Sequence, residues 1–384
     1  MEHLLNRGLA TRLNARAILT EMVSPSPPFP PSVAARPRTA SILINNFNYG
    51  RFVGEAIESA LGQTHGAEVI VVDDGSTDDS RQVIDRFGSR VLAIFKSNGG
   101  HGSAMNTGFA VATGDLIIFL DSDDRLEPTA VATLLREWQS DTVMAQYPLR
   151  IVSSEGEPVG LCPDPPTSLS HGDVREQLLE TGSFGVNVTS GLAFSRHALA
   201  RIMPLPEEDV PMCADGYLVR AVAFLGPVQR LDVTLGVYRV HDRNFSNLSS
   251  TPGGLADGFR KKILYAEKEF GFTRQFSAEH GLAVRAPLEE RNPEYAGYRL
   301  FLRLTDPAAQ DVDPGEGRWQ LLARYVGLRW RSEWPFRRRL VSVALATAAA
   351  LSPAPVAFSL VSWLHDANDR PDWWRRAART LRGA

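Results

Sequence analysis

Between residues 41 and 138, short uninterrupted apolar runs alternate with segments of helical spacing. Apolar runs of this length are typical of strands that are buried on both faces, as in a parallel sheet covered by helices. Because a polar turn and a helix-like segment follow most of these runs, the pattern predicts an α/β, doubly wound domain. The predicted strands are Ser41–Ile44, Val69–Val72, Val91–Phe95 and Leu116–Leu120, and the predicted helices are Gly54–Gln63, Ser80–Phe87, Ser103–Ala112 and Pro128–Trp138.

The composition is that of an ordinary globular protein, and it argues against some kinds of binding partner. The chain has 384 residues, of which 43% are hydrophobic, so it is long enough to bury a large core. A net charge of −3 provides no overall basic field, and we therefore expect no nucleic-acid partner. The two cysteines, Cys162 and Cys213, lack the spacing of a metal or redox motif. So few cysteines favour a reducing compartment, and we expect a cytoplasmic protein.

Three of the predicted strands end in polar clusters, namely residues 45–48 (NNFN), 73–76 (DDGS) and 121–124 (DSDD). In an open parallel sheet, ligands bind beyond the carboxyl ends of the strands. Carboxylates gathered at that edge repel one another unless a cation lies between them. Asp121 and Asp123 are separated by one residue, so both can face one ion, and hard oxygen ligands suit Mg²⁺ or Mn²⁺.

The common nucleotide-binding motifs do not fit this chain. The first predicted strand leads into NNFNYG rather than into a glycine-rich turn that opens a helix, which argues against a dinucleotide site. A phosphate-binding P-loop is absent from the sequence as well.

Three segments together resemble the nucleotide-sugar half of family 2 glycosyltransferases: SILINNFNYGRFVGEAIESALGQT, EVIVVDDGSTDDS and NGGHGSAMNTGFAVATGDLIIFLDSDD. Two later segments, ADGYLVRAV (214–222) and GVYRVHDRNFS (236–246), resemble the acceptor half of that family. The resemblance implies a GT-A fold, in which a Rossmann-like, mostly parallel sheet flanked by helices binds a nucleoside diphosphate sugar. It also implies that the transferred sugar inverts its configuration at the anomeric carbon.

The resemblance also assigns expected roles to individual residues. Asp215 matches the catalytic carboxylate of the family. Asp121 and Asp123 match its Asp-x-Asp motif, which holds a metal ion, Mn²⁺ or Mg²⁺, on the diphosphate. His241 lies where some members place a further metal or phosphate contact. The residues expected to bind the nucleotide sugar are Asn45, Phe47, Asp74, Asn98, Asn106 and Asp121.

The function expected on this basis is transfer of a sugar from a nucleoside diphosphate sugar, most plausibly a UDP-sugar, to a glycan or lipid-linked acceptor. The product would be a cell-surface polysaccharide or glycolipid. Two alternatives belong to other classes. One is a glycan- or nucleotide-binding protein of the same fold without turnover, which degraded carboxylates would favour. The other is a sugar-nucleotide synthesising enzyme, whose basic, glycine-rich loop after the first strand is missing from NNFNYGRF.

We expect three regions along the chain. Residues 1–38 comprise a helix with Leu5, Leu9 and Leu13 on one stripe, followed by a linker with six prolines in residues 24–37. That helix either docks on the body or lies on a membrane surface. The GT-A domain covers residues 39–250, with a nucleotide-sugar half at 39–127 and an acceptor half at 128–250, in which Leu235–Val240 is a further predicted strand. Residues 251–384 form a mainly helical C-terminal extension.

The end of the chain is basic and apolar at once. From Arg318 onward there are 12 Arg against 4 acidic residues, and the 25 residues from Leu340 to Leu364 carry no charge. Pro353 and Pro355 split this run into halves too short to span a bilayer alone. One interpretation is a helical hairpin packed on the body. A second is an interfacial helical pair that contacts the anionic inner-membrane surface through Trp and Arg. A true transmembrane span is the least favoured interpretation.

Overall fold

A mostly parallel sheet forms the centre of the protein, as the alternating pattern predicts. The structure is a computed structural model that describes residues 29, 37–208, 214–241, 244, 254–306, 316–332 and 334–365. The predicted N-terminal helix and most of the proline-rich linker lie outside the described residues. The strands are β1 (Ala40–Asn46), β2 (Glu68–Asp73), β3 (Leu92–Phe95), β4 (Leu116–Asp121), β5 (Arg125–Leu126), β6 (Met144–Gln146), β7 (Leu149–Val152), β8 (Pro158–Cys162), β9 (Leu192–Ser195), β10 (Val228–Arg230) and β11 (Gly236–Arg239).

Helices lie between these strands and dominate the C-terminal part of the described chain. They are α1 (Gly50–Leu61), α2 (Ser80–Asp85), α3 (His101–Val111), α4 (Ala130–Glu137), α5 (Arg175–Thr181), α6 (Arg196–Leu199), α7 (Ala214–Ala223), α8 (Gly254–Glu279), α9 (Leu288–Arg291), α10 (Pro293–Thr305), α11 (Arg318–Arg331), α12 (Phe336–Leu351) and α13 (Ala354–His365). Short 3₁₀ turns occur at Gly88–Arg90, Pro166–Ser168 and Thr189–Gly191.

The order of strands in the main sheet brings the polar strand ends together. Seven strands of the described chain follow the order β10-β6-β9-β4-β1-β2-β3, and β9 runs antiparallel to both of its neighbours. Strands β1, β2 and β4 are mutually parallel, with Asn45 opposite Asp121 and Asn46 opposite Asp73. The three polar clusters therefore lie side by side at one edge of the sheet, where ligands bind in folds of this kind.

Apolar residues on alternate positions of the central strands pack into two separate cores. Leu43 and Phe119 face one layer of helices, whereas Ile44 and Leu120 face the other, and all four are fully buried. This burial explains why the strands are continuous apolar runs in the sequence rather than alternating ones. The predicted fold class, α/β with a mostly parallel sheet and a mainly helical C-terminal extension, is confirmed.

A second, four-stranded sheet in the order β5-β11-β7-β8 lies beside the main one. Of its strands, only β11 was expected from the sequence, as Leu235–Val240. The others are short: β5 has two residues, and β8 is largely exposed. Such strands carry too few apolar residues to show a period of two.

The C-terminal helices form a third core of their own. Helix α10 begins at Pro293, and the side chain of Asn292 before it accepts the backbone N–H of Tyr295, which caps the helix. Helices α12 and α13 form a hairpin around Pro353, and small residues such as Ala346 and Ala350 are buried against the neighbouring helices. The hairpin thus packs on the body. No helix within the described residues combines the length and apolar character needed to cross a bilayer.

Candidate active site

The carboxyl ends of β1, β2 and β4 form the floor of a pocket of about 590 Å³. Residues from both predicted halves of the GT-A domain contribute to its wall, and so does helix α8 of the C-terminal extension. The lining residues are Asn45, Asn46, Phe47, Tyr49, Asp74, Asn98, Gly100, His101, Ala104, Asp121, Ser122, Asp123, Val188, Thr189, Asp215, Tyr238, Asn244 and Tyr265. Seven of the nine site residues expected from the sequence are among them.

The end of β1 offers a polar group and a flat apolar one. Asn45 is buried, and neither the oxygen nor the nitrogen of its carboxamide has a hydrogen-bond partner within the described chain. Phe47, two residues on, is 45% exposed although it is a large aromatic side chain. A buried amide without hydrogen-bond partners costs free energy of folding unless a ligand supplies those partners. Asn45 and Phe47 therefore form a cradle for a molecule with a polar edge and a flat face.

Asp74 fixes the loop that follows β3. Its carboxylate accepts hydrogen bonds from Lys96 Nζ at 2.6 Å and from the backbone N–H of Gly100 at 2.7 Å, and it also accepts the N–H of Gly99. Asn98 Nδ2 donates to the backbone oxygen of Asp74 at 3.0 Å. Asp74 is nearly saturated by these contacts, so its first effect is to shape the pocket wall.

The glycine in this loop sets the start of helix α3. Gly100 has φ = +87°, a backbone conformation that residues with a side chain rarely adopt, and the helix begins at His101 immediately afterwards. The N-terminus of α3, with its unpaired N–H groups and partial positive charge, therefore meets the pocket at Gly100 and His101. Helix N-termini of this kind favour phosphate groups.

Three aspartates lie at and just after the end of β4, and two of them, Asp121 and Asp123, line the pocket. Burial raises the pKa of the Asp121 carboxyl to about 6; the nearby His101 opposes this shift, whereas the charges of Asp123 and Asp215 add to it. The Asp121 side chain nevertheless keeps about a third of its surface open to the pocket. The serine of the Thr189–Gly191 turn accepts the backbone N–H of Asp121 through its Oγ, at 3.1 Å. The floor is thus negatively charged and held in place by neighbouring backbone.

Asp124 differs from the other two because it faces the protein interior. Its Oδ1 accepts the backbone N–H of Arg239 at 2.8 Å, and burial together with the charges of Asp123 and Asp121 raises the pKa of its carboxyl well above the usual range. Asp124 thus ties the turn after β4 to strand β11.

His241 is adjacent to the pocket and contacts Asp123. Its Nε2 lies 2.9 Å from Asp123 Oδ2, and the side chain is 7% exposed. The imidazole stacks on Phe52, with ring centroids 5.4 Å apart, and also contacts Tyr49. The structure therefore brings His241 to the aspartate motif, as the sequence led us to expect, although the ring does not line the pocket itself.

Asp215 lies in the first turn of α7 and lines the pocket. The hydroxyl of Tyr265, on helix α8, donates a hydrogen bond to Asp215 Oδ1 at 2.8 Å. Asp215 therefore presents its carboxyl group to the pocket, where a bound hydroxyl group can reach it.

Asn106 is the expected site residue that the structure places away from the pocket. Its carboxamide donates to the backbone oxygen of Leu205 at 2.9 Å and accepts the N–H of the same residue at 2.7 Å. A third contact joins it to Glu207. Asn106 thus holds the segment around Leu205 against helix α3, and a contact with the nucleotide sugar stays a prediction.

Several lining residues were not expected from the sequence. Tyr49 and Tyr238 lie in segments that resemble the family, but the resemblance assigned neither of them a role, and Thr189 lies outside those segments. Tyr265 lies in a long helix 50 residues beyond Asp215, and nothing in its neighbourhood marks it. His101, by contrast, had a signal, since it follows two glycines at the start of a predicted helix.

The acidic floor suits a divalent cation that is shared with a ligand. Asp121 and Asp123 offer hard oxygen donors in a site with excess negative charge. Within the described residues, no three His, Cys, Asp or Glu side chains are arranged to hold a metal ion by themselves. The remaining ligands of such an ion would be phosphate oxygens and water, which Mg²⁺ typically keeps.

The comparisons with protein families and with curated proteins both point to glycosyltransferases. The model of Glycosyl transferase family 2 matches residues 41–203. An uncharacterized glycosyltransferase of Nostoc sp. is 33% identical over 270 residues, which is 68% of this chain and 83% of that protein. The glycosyltransferase GlyG of Streptococcus pneumoniae is 36% identical over 28% of this chain and 38% of its own length.

Among solved structures, the mannosyltransferase PcManGT from Pyrobaculum calidifontis, in complex with GDP-Man and Mn²⁺, aligns with a TM-score of 0.44 and 16% identity. The alignment covers 93% of this chain and 92% of that one.

Proposed function

This chain is a glycosyltransferase of family 2, and from that premise we propose that it transfers a sugar from a nucleoside diphosphate sugar, with inversion, to a hydroxyl group of a glycan or lipid-linked acceptor. The observation that carries the proposal is the pocket itself. It combines an unpaired amide beside an exposed aromatic ring, a helix N-terminus, an acidic floor and Asp215. The amide and the ring suit a nucleobase, the helix N-terminus suits a diphosphate, and the acidic floor suits a divalent cation. Asp215 suits the hydroxyl group of the acceptor.

The nucleoside is proposed to bind at the end of β1. The Asn45 carboxamide presents a donor group and an acceptor, which match a base edge where a carbonyl lies beside an N–H, as in uracil and in guanine. The ring of Phe47 is exposed and is proposed to stack on the base. We propose a UDP-sugar as the donor, and the donor panel below distinguishes it from a GDP-sugar. Asp74 and Asn98 support this subsite by holding the loop opposite it.

The diphosphate is proposed to lie between the N-terminus of α3 and the aspartates after β4. Asp121 and Asp123 would hold Mn²⁺ or Mg²⁺, and His241 is proposed to contact that site through Asp123, whose Oδ2 lies 2.9 Å from its Nε2. A divalent cation there supplies a counter-charge to the diphosphate as it leaves. The backbone N–H groups at the start of α3 would also stabilise the negative charge of the diphosphate, and they need no metal ion to do so.

Asp215 is proposed as the general base. The acceptor oxygen forms a bond to the anomeric carbon while the bond from that carbon to the phosphate oxygen breaks, and the electron pair leaves with the diphosphate. The proton of the acceptor hydroxyl passes to the Asp215 carboxylate. One base suffices for this displacement, because no covalent sugar–enzyme intermediate is formed.

The first test is the release of nucleoside diphosphate from a panel of nucleotide sugars, including UDP- and GDP-linked donors, with Mn²⁺, with Mg²⁺ and with EDTA. We expect metal-dependent release from one donor class. Asp123→Ala should abolish it, and Asp215→Asn should reduce kcat by about 100-fold or more without weakening binding of the donor.

The outcomes separate the alternatives. Donor binding without release, in the presence of a broad set of acceptors, would favour a binding protein of the same fold. Asp85→Asn is a suitable control variant, because that carboxylate is exposed on helix α2 and pairs with the equally exposed Arg81 at 3.9 Å. Loss of activity in that variant would mean that the effects of the site variants are not specific.

The outward face of the α12–α13 hairpin supports a further part of the proposal, peripheral contact with an anionic membrane surface. Phe336, Leu340 and Leu351 lie on this face and are 60%, 47% and 71% exposed. Between residues 317 and 364 there are seven Arg and one acidic residue, Glu333. An apolar helical face bordered by arginines is the pattern of helices that lie in the interface of anionic bilayers.

Co-sedimentation with lipid vesicles tests this contact. We expect the protein to bind vesicles that contain phosphatidylglycerol but not vesicles of phosphatidylcholine alone, and we expect Leu340→Glu with Leu351→Glu to prevent binding. Val159→Glu is the matched control, because Val159 is 55% exposed on the small sheet. Equal binding of all variants would exclude the hairpin as the contact surface.

A further inference from the structure

Helix α8 belongs to the C-terminal extension, yet it contributes a side chain to the pocket. The family model ends at residue 203, and α8 begins only at Gly254. Tyr265, about three turns into that helix, lines the pocket and donates its hydroxyl to Asp215 Oδ1. The extension therefore meets the glycosyltransferase domain at its proposed general base.

An ion pair close to this hydrogen bond joins the same two helices, α7 and α8. Arg220 on α7 donates to Glu269 on α8 at 2.8 Å and to the backbone oxygen of Gly182 at 3.1 Å, and its side chain is 6% exposed. Burial raises the pKa of the Glu269 carboxyl, an effect that the charge of Arg220 opposes and that of Asp215 reinforces. This buried pair fixes α8 one turn after Tyr265.

Gly216 leaves room for the carboxylate of this pair. A Cβ atom at this position would lie 2.7 Å from Glu269 Oε1, so a larger residue would displace the Glu269 side chain from its place beside Arg220. Tyr217 adds edge-to-face contacts with Phe272 and Phe276, each with ring centroids 5.0 Å apart. The backbone on both sides of Asp215 and Tyr265 is thus held by packing, which leaves little freedom in their separation.

Resting on the proposed function of Asp215, we propose that Tyr265 is a positioning residue for the base. Its hydroxyl holds Oδ1, so that the carboxylate keeps one rotamer and presents Oδ2 to the acceptor hydroxyl. A base that is fixed before the acceptor binds loses less freedom in the reaction, which accelerates the chemical step rather than substrate binding. The C-terminal extension in this way completes the active site.

Tyr265→Phe tests the role, and Tyr295→Phe is its matched control. The hydroxyl of Tyr295 donates to Glu267 Oε1 at 2.8 Å, so that variant also removes a tyrosine–carboxylate hydrogen bond made to α8, but it does so outside the pocket. We expect Tyr265→Phe to lower kcat by about 10- to 100-fold while KM for the donor changes less than about twofold. Tyr295→Phe should leave kcat within about twofold.

Combining variants separates positioning from a direct contact with substrate. If Tyr265 acts through Asp215, then Tyr265→Phe should have almost no further effect in an Asp215→Asn background. Multiplicative losses in the double variant, or a rise in KM with unchanged kcat, would overturn the proposal.

A wild-type protein without turnover would refute the proposed function rather than the hydrogen bond. In that case, crystals of Tyr265→Phe decide the question. A changed Asp215 rotamer would support positioning, and an unchanged carboxylate orientation would refute it. UDP binding by calorimetry, which does not need the base, reports whether each variant keeps an intact donor site.

Discussion

Asp121 should destabilise the metal-free protein at neutral pH, and Asp121→Asn should relieve that cost. In the folded protein burial raises the pKa of this carboxyl to about 6, above its ordinary value of 3.8. The folded protein therefore holds the proton more strongly than the unfolded chain does. The stability that this proton contributes is fully present below about pH 4 and is lost as the pH rises through about 6.

The magnitude follows from the size of the shift. About two pKa units correspond to ~3 kcal/mol at 1.36 kcal/mol per unit. Because a third of the Asp121 side chain is open to the pocket, we reduce this figure by roughly half for solvent screening. Asp121→Asn should then exceed the wild type in free energy of unfolding by ~1.5 kcal/mol near pH 8, but by only ~0.5 kcal/mol near pH 4.5.

The assay is urea unfolding in EDTA, followed by circular dichroism at both pH values, with Asp85→Asn as an exposed control. The difference in free energy of unfolding between Asp85→Asn and the wild type should not change with pH in this way. Excess Mn²⁺ near pH 8 should stabilise the wild type and have a smaller effect on Asp121→Asn, since binding to the folded state alone adds stability. The reasoning is refuted if the advantage of Asp121→Asn is the same at both pH values, or if the variant is less stable near pH 8.

Three further predictions concern the frame of the pocket. Asp74→Asn should cost about 2–3 kcal/mol of stability and weaken UDP binding, because the amide has no charge and only one oxygen for Lys96 and the Gly99–Gly100 backbone; calorimetry with UDP measures this, and unchanged binding would exclude a role for the loop. Arg239→Met should cost about 2–3 kcal/mol, since the buried guanidinium donates to the half-exposed Glu55 and to the backbone oxygen of Asp123; denaturant titration that shows no loss would contradict it. Gly182→Ala should cost about 2–4 kcal/mol in the same titration, because φ is +72° there and a Cβ would lie 2.4 Å from the ring of Phe270 on α8. A neutral result would mean that α5 can move away from that ring.

The sequence was informative wherever a strand is buried on both faces. Runs such as Leu116–Leu120 can hardly be anything other than central strands, and the polar residues at their ends were bound to meet at one edge because parallel strands share their direction. The helices between them followed from spacing, although their ends differ by a few residues. Helix α1, for example, begins at Gly50 rather than at Gly54.

What the sequence could not give is the orientation of single side chains and contacts between distant segments. Asn106 belongs to a family-like stretch, yet its carboxamide faces Leu205 instead of the pocket. Asp74 reaches the pocket, but its oxygens are engaged by a loop 22 to 26 residues away. Tyr265 meets Asp215 only because α8 packs on α7, and tertiary packing of this kind leaves no local pattern.

The antiparallel strand in the middle of the main sheet also governs how the chain folds during synthesis. Residues 40–121 contain β1 to β4 and can assemble as one unit when they leave the ribosome. The outer edge of β4 then stays unpaired until β9, about 70 residues later, is made. At typical translation rates of ~5–20 residues per second this interval lasts roughly 4–14 s. Since β6 and β10 join the sheet only through β9, the nascent protein exposes an apolar strand edge throughout that time, and a chaperone that shields strand edges should raise its yield.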